Sequence, residues 1–401
     1  MVTTYDLQST SFFTDPYDTY ARMRRDDPVY HDPATGIWFL TRYQDLLTLT
    51  KDRRFSSERV SQLFTGVSPE LDGQVEVVGR FFTDWLIFVD PPQHTRLRRL
   101  TARAFSTKSV AALRDYIQTV VDTALDRVAD TGRADLMADV GIPVPAQVIA
   151  HMLGVAPADI PQFKSWTADV LRVPALVGDS EENVRIAYRA VGNLEEYFRE
   201  LIAQRRQTPT DDLLGMLVSA DEDGQILTEQ ELVSTCALLL VAGHETTTNL
   251  IGNGMIALLR HPAELARLRA DPELIESAVD EFLRYDGPVA GVARLAREDI
   301  DIGGQVIPAG HVAMGMVGAA NRDPAVFDDP DRLDIGRGDG RHVGFGQGRH
   351  LCPGAALARL EARIALGGIL ARFPQLELAT DELDWSKSLA TRGVTSLPVR
   401  T

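Results

Sequence analysis

Two stretches of the chain carry residue types that do chemistry. The first is "FGQGRHLCPG", Phe345 to Gly354, which sets one of only two cysteines among three glycines and behind a histidine. Gly346, Gly348 and Gly354 permit positive φ and close approach of backbone to something flat or bulky. Pro353 suits the first position of a helix, where its missing N–H is not needed. The following "AALARLEARIALGGIL" gives that helix an apolar stripe. Cys352 is therefore expected at a helix N-terminus beside Arg349 and His350, where dipole and cations favour a thiolate. Such a thiolate serves as nucleophile, zinc ligand or haem ligand. Zinc is disfavoured, because a structural site needs clustered Cys and His and only His350 is near in sequence. A dinucleotide loop is disfavoured too, because Leu351 stands where the third glycine belongs. A Cys–His hydrolase stays open. So does a buried structural cysteine, which leaves the glycines without a reason.

The second stretch is "LLLVAGHETTTN", Leu238 to Asn249. Apolar residues give way to a glycine, a histidine, an acid and three threonines. A mid-helix Gly costs about 1 kcal/mol relative to Ala, and Thr side chains bond back to the carbonyl four residues earlier and bend a helix. A locally opened helix is expected here, with Glu245 and its hydroxyl neighbours binding a small polar ligand or relaying protons. A merely structural polar network is the competing reading.

These residues need long elements to position them. Thr228 and Glu231 form a capping-box pattern. A helix from there reaches Arg260, where His261-Pro262 stops it, roughly 45–50 Å at 1.5 Å per residue. "VYHDPATGIWFLT" (Val29 to Thr41) reads as a hairpin, and "IDIGGQVIPAGHVAMGMV" as a strand pair turned at Gly303-Gly304. The pattern is β-richer over about residues 1–60, with a helical body over about residues 90–401 that is mostly helical from about Ser106, mainly α with a small β component. No repeat or low-complexity linker splits it, so a single domain over 1–401 is expected.

Composition narrows the function. A net charge of −16 over 401 residues argues against nucleic acid as a partner. Two cysteines make no disulfide framework, so a reducing compartment is expected. The N-terminal stretch has no apolar run and no basic segment, so neither signal peptide nor membrane anchor is expected, and the cytoplasm is the expected location.

The motifs converge on one family. "FGQGRHLCPG" resembles the haem-binding signature of the cytochrome P450 haem-thiolate monooxygenases, and "AGHETT" (Ala242 to Thr247) their oxygen-activation motif. "EFLR" (Glu281 to Arg284) resembles their Glu-x-x-Arg signature, and "NRDPAVFDDPDRLDIGR" the meander that follows it. Leu333 departs from the family, which usually has an aromatic there. The resemblance spans essentially the whole chain, in order, and looks closest to soluble bacterial members of specialised-metabolite pathways. It implies the P450 fold, with haem b between the long central helix and the cysteine-loop helix and Cys352 as axial metal ligand. It implies cofactor contacts from Ala242, Gly243, Phe345, Gly346 and Gly354, and catalytic roles for Glu245 and Thr246. Glu281, Arg284 and Arg332 are the expected buried ion network. His94 and Arg98, four apart on one helix face, with Arg294 and His350, are the expected propionate partners. Cys236 is expected to be plain core, and His31, His151, His261, His311 and His342 structural or solvated.

The implied reaction is O₂-dependent oxidation of a bulky, largely apolar small molecule. Oxidative ring closure or aryl coupling is the alternative within enzymes, and a non-catalytic haem protein or carrier-protein partner the alternative outside them. Electrons are expected from a ferredoxin and its NAD(P)H-dependent reductase. That donor would dock among Arg96, Arg99, Arg103, Arg349, Arg359 and Arg363, and the protein is expected to be a monomer. Family resemblance places Phe81 to Phe88, Val170 to Val177, Leu238 to Ala242 and Val289 to Ala293 over the haem. The expected pocket residues are Trp85, Leu86, Ile87, Val173, Leu238, Val241, Ala242, Val289, Gly291, Val292 and Ala390. Arg172 and Asp84 turn inward if the substrate carries a charge.

Overall fold

The Val29–Thr41 hairpin forms as read: β1 (Val29–His31) pairs antiparallel with β2 (Trp38–Leu40). The computed structural model describes residues 5–102, 105–129, 132–174, 180–221 and 224–401. These residues make two compact units: Met1–Ser56, Gln118–Val144 and Thr246–Thr401 in the first, Ser57–Ile117 and Pro145–Glu245 in the second.

The first unit holds the named strands. β3 (Phe55–Ser56), β4 (Arg133–Asp135), β5 (Gly291–Ala296), β6 (Ile300–Ile302), β7 (Gln305–Ile307), β8 (Val312–Met316), β9 (Glu377–Leu378) and β10 (Pro398–Arg400) follow the hairpin. The main sheet has the order β1-β2-β8-β5-β3. Only β2 and β8 run parallel, with Trp38 opposite Ala313. β6 and β7 form the second predicted hairpin, and Gly303 and Gly304 at φ +60° and +85° supply the left-handed pair that a two-residue turn needs. The expectation of a β-rich start is corrected. Helices Thr10–Thr14, Tyr17–Asp26 and Tyr43–Lys51 cover more of it than its strands do, and those short strands are completed by β5 and β8 from far along the chain. Overall, 58% of the structure is helix and 10% strand, so mainly α with a small β part holds.

The second unit is built from helices. Gln93–Ala102 carries the "HTRLR" segment, and Ile160–Leu171 lies against Ser180–Gln207 through Phe163, which meets Tyr197 edge-on with ring centroids 4.5 Å apart. The long helix Glu229–Arg260 has its expected ends. The Thr228 hydroxyl accepts the Glu231 N–H at 3.2 Å, and the Glu231 carboxylate accepts the Thr228 N–H at 2.9 Å, the reciprocal bonds of a capping box.

Within the first unit, helix Ala355–Arg372 buries Glu361, and its Oε2 has no hydrogen-bond partner. Burial pushes that carboxyl well above its ordinary value. A raised folded value means the folded chain holds the proton more tightly than the unfolded one. The associated stability is therefore complete below the unfolded value of about 4.3 and is lost as pH rises toward the folded value. Glu361→Gln removes this loss. Its melting temperature should exceed wild type at pH 7–8, and the gap should close at about pH 4, which a thermal-melt series over pH checks.

Candidate active site

The cysteine loop lies in the first unit and is shaped by its glycines. Gly346 and Gly348 sit at φ +73° and +69°, conformations that L side chains rarely adopt. A Cβ on Gly348 would also stand 3.1 Å from the Thr50 carbonyl oxygen. The loop closes through the Gly346 N–H to the Val343 carbonyl at 2.8 Å and the Cys352 N–H to the Phe345 carbonyl at 3.0 Å. A short 3₁₀ turn, Gly348–His350, precedes the cysteine. The expected helix start is corrected: Gly354 is the N-cap and the helix begins at Ala355, so Cys352 and Pro353 lie in the turn ahead of it. Cys352 stays partly accessible, as an axial ligand must. Cys236 is wholly buried in the long helix, and burial raises its thiol far from thiolate formation, so it is core as expected. The residues therefore fit a flat cofactor held by one thiolate. Among the described residues, no group of three or more His, Cys, Asp or Glu could hold a metal ion by itself.

Behind the loop lies the ion network, with one correction. Arg284 and Glu281 are buried and bonded through both carboxylate oxygens, Nε to Oε2 at 2.7 Å and Nη2 to Oε1 at 2.8 Å. The remaining Arg284 N–H groups reach the carbonyls of Asn321, Pro330 and Arg332 at 3.0, 2.7 and 3.1 Å. All five donors of that guanidinium are thus satisfied. The third cation is Arg337, whose Nε lies 3.2 Å from Glu281, and not Arg332. The Arg332 side chain is 62% exposed and pairs with Asp329 and Asp334. The chain turns so that Arg332 points its carbonyl inward, where it accepts from both Arg284 and Arg337.

The long helix also departs from expectation. It runs helical without interruption through Ala242–Thr247. Gly243 serves packing: a Cβ there would meet Ile149 Cγ1 at 3.0 Å. Ala242 is exposed, and Glu245 and Thr246 are partly exposed. Thr247 and Thr248 turn away; both are buried, and Thr248 donates to the Gly141 carbonyl at 2.8 Å. His244, which sequence reasoning passed over, places Nδ1 2.7 Å from the Leu240 carbonyl and lines a small cavity with Phe163, Lys164 and Thr167. Burial lowers its pKa despite that bond.

Of the four expected propionate partners, His94 is buried and Arg98 partly exposed in the second unit; Arg294 is buried and His350 partly exposed in the first. The pocket prediction changes more. Trp85, Val173, Leu238 and Val241 are buried in the packed interior of the second unit. Trp85 sits in an aromatic cluster, 4.9 Å from Phe82 and 5.7 Å from Phe81 between ring centroids, and therefore acts as core. Gly291 opens no space: a Cβ there would meet the Leu389 carbonyl oxygen and Met314 Cγ, each at 3.0 Å. Leu86, Ile87, Val289, Val292 and Ala390 remain partly or fully exposed. Residues 175–177 of the second pocket segment lie outside the described residues. Arg172 pairs with Asp169 at 3.4 Å and is half exposed, so it does not turn inward.

Three of the six expected docking arginines are neutralised. Arg96 pairs with Glu231, Arg359 with Asp280 and Arg363 with Glu276. Arg99 is exposed and Arg349 partly exposed, and Arg103 lies outside the described residues.

Comparison with known proteins places this site in a class. Residues 160–395 match the family model described as Cytochrome P450. The vitamin D(3) 25-hydroxylase of Pseudonocardia autotrophica is 41% identical over 98% of this chain and 96% of that protein. The polyketide biosynthesis cytochrome P450 PksS of Bacillus subtilis is 38% identical over 97% and 96%. The crystal structure of P450BioI in complex with hexadec-9Z-enoic acid ligated acyl carrier protein superposes with a TM-score of 0.91 at 35% identity, covering 98% of this chain and 100% of that one. The chain belongs to the cytochrome P450 family. Its cofactor is haem with a cysteine thiolate as axial ligand. No helix among the described residues is long and apolar enough to cross a membrane.

Proposed function

We propose that this chain, acting as one catalytic domain, is a haem-thiolate monooxygenase of specialised metabolism that oxidises a bulky, largely apolar small molecule. The observation that carries it is the Cys352 loop, held by two left-handed glycines and leaving the cysteine partly accessible. Bound haem supplies O₂ activation, and a thiolate ligand favours O–O cleavage. In the balanced reaction, a substrate C–H bond, O₂, two electrons and two protons give a C–OH group and water. Cys352 holds the iron. His94, Arg98, Arg294 and His350 neutralise the two propionates. Thr246, with Glu245, holds and passes the protons, while Ala242 leaves room beside them. Leu86, Ile87, Val289, Val292 and Ala390 offer apolar or small surface that suits a ligand held by shape.

The relatives support the substrate class. One is named for a vitamin D(3) hydroxylation, one for polyketide biosynthesis, and one holds a fatty acyl chain on a carrier protein. Electrons come from a ferredoxin and its reductase. With Arg96, Arg359 and Arg363 paired, the encounter surface rests on fewer arginines, with the exposed Arg99 foremost.

The test has two readings. Reduced holoprotein with carbon monoxide should show the strongly red-shifted band of thiolate ligation, and Cys352→His should replace it with an imidazole-type spectrum. With a surrogate ferredoxin and its reductase, apolar polycyclic or macrocyclic substrates should drive NAD(P)H and O₂ consumption and give a product carrying oxygen from ¹⁸O₂. A product two hydrogens lighter and without that label would instead identify ring closure or coupling. No turnover with any ligand that shifts the haem spectrum would favour a non-catalytic haem protein.

A further inference from the structure

The Glu-x-x-Arg helix sends a second acid toward the cysteine loop, one residue before Glu281. Asp280 accepts Arg359 Nε at 2.7 Å and faces His342 Nε2 at 3.6 Å. His342 is buried, and its Nδ1 accepts the Gly344 N–H at 3.2 Å. That bond makes Nδ1 the acceptor and leaves the ring N–H on Nε2, aimed at Asp280. Burial by itself would push the Asp280 carboxyl up. Hydrogen bonds from His342 and Arg359, with the Arg359 charge, outweigh it and hold the carboxyl below its ordinary value. Both partners then converge on Phe345. The Arg359 guanidinium carbon lies 4.5 Å from the Phe345 ring centroid, and the His342 ring lies 6.0 Å away. The Phe345 carbonyl in turn accepts the Cys352 N–H.

We propose that Asp280 is a positioning residue for the thiolate loop, acting through Arg359 and His342 on Phe345 and thereby on the charge felt at Cys352. The inference rests on Cys352 being the haem ligand. It differs in kind from the Glu281–Arg284–Arg337 network, whose two central side chains are 2% and 1% exposed and hold the meander. Asp280 and Arg359 are 33% and 28% exposed, so water screens their charges in part without abolishing them. They form a balanced pair of opposite sign next to the aromatic residue that opens the cysteine motif. Asp280 offsets a cation that would otherwise draw electron density from the thiolate. The usual role of an outer partner, fixing the orientation and basicity of a metal ligand, falls here to a chain of three side chains.

A signed response tests this, because a role limited to packing has no sign. Redox titration of the holoprotein, without any protein donor, compares wild type with Asp280→Asn and Arg359→Gln. Asp280→Asn leaves Arg359 unbalanced and should raise the reduced-to-oxidised ratio at fixed potential by about three- to tenfold, tenfold being about 59 mV for a one-electron couple. Arg359→Gln leaves the carboxylate unbalanced and should shift the ratio the other way. It should also increase the share of reduced carbon monoxide complex with a thiol-type band. The control is Glu276→Gln, which breaks the 2.9 Å Arg363–Glu276 pair between the same two helices and should move neither readout. Shifts of the same sign, or none beyond the control at normal haem content, would overturn the proposal. If Arg359→Gln fails to take up haem, the isosteric Asp280→Asn still decides. Haem loss in both with the control intact would mark a scaffold role and overturn it as well. A wild-type complex lacking the thiolate band would fail the Cys352 assignment instead, so the two failures are separable.

Discussion

Glu281→Ala is expected to destabilise the fold by about 3–5 kcal/mol, because it leaves a buried guanidinium without its counter-charge. Arg284 is 1% exposed on its side chain, and two of its five N–H groups would lose their acceptor. Typical domains are stable by about 5–15 kcal/mol, so the loss removes a large share of the total. The Asp334 N–H, 2.9 Å from Glu281, would lose its acceptor as well, and the meander with it its anchor. Arg337→Ala should destabilise by about 2–3 kcal/mol, since that side chain is 11% exposed and its donors also serve the Asp328, Asp329 and Arg332 carbonyls. Arg332→Ala should cost less than about 1 kcal/mol, because its pairs are solvent-exposed. Urea unfolding of the three variants ranks them. A cost for Arg332→Ala equal to that for Arg337→Ala would contradict the network as described.

That ranking shows where sequence reading stops. Glu281 and Arg284 were legible because residues three apart on a helix share a face. Arg332 was assigned through resemblance alone, and in an irregular segment side-chain direction follows from turns that no periodicity reveals. "RLDIGR" offers two arginines five apart, and only the carbonyl positions of Arg332 and its neighbours decide which one turns in. The cysteine loop read well, since glycine at positive φ is a local requirement. The helix start after it read two residues early, because Pro353 was given the first helical position that Ala355 takes. The pocket read least well. Apolar side chains carry no mark of whether they face a ligand or the interior: Trp85 went to an aromatic cluster and Gly291 to strand packing. Asp280 went unread and His342 was read only as structural or solvated, because their meaning lies in a contact between segments far apart in the chain.

Thr246→Ala is expected to leave haem uptake and the thiolate spectrum unchanged while cutting product per electron consumed by about tenfold, the remainder leaving as hydrogen peroxide. Positioned proton transfer contributes about 10²–10⁴-fold to a reaction that depends on it, and bypass through water recovers part of this. The structure separates the three consecutive threonines. Thr247 is 3% exposed and Thr248 6%, and Thr248 has its hydroxyl on the Gly141 carbonyl. Thr246 alone of the three keeps its side chain partly accessible, next to the partly accessible Glu245. Because the helix is unbroken here, the proposed relay would run through the hydroxyl and not through an opened backbone. Thr248→Val is the matched control. It removes a buried hydrogen bond and leaves the Gly141 carbonyl without that donor, so it should cost about 1–2 kcal/mol of stability yet leave coupling near wild type. Glu245→Gln should slow oxygen-dependent turnover and bring in a solvent isotope effect. Peroxide yield, NAD(P)H consumption and product are measured together for each variant. If Thr246→Ala stays fully coupled while Thr248→Val uncouples, the proton route runs along the other face of the helix.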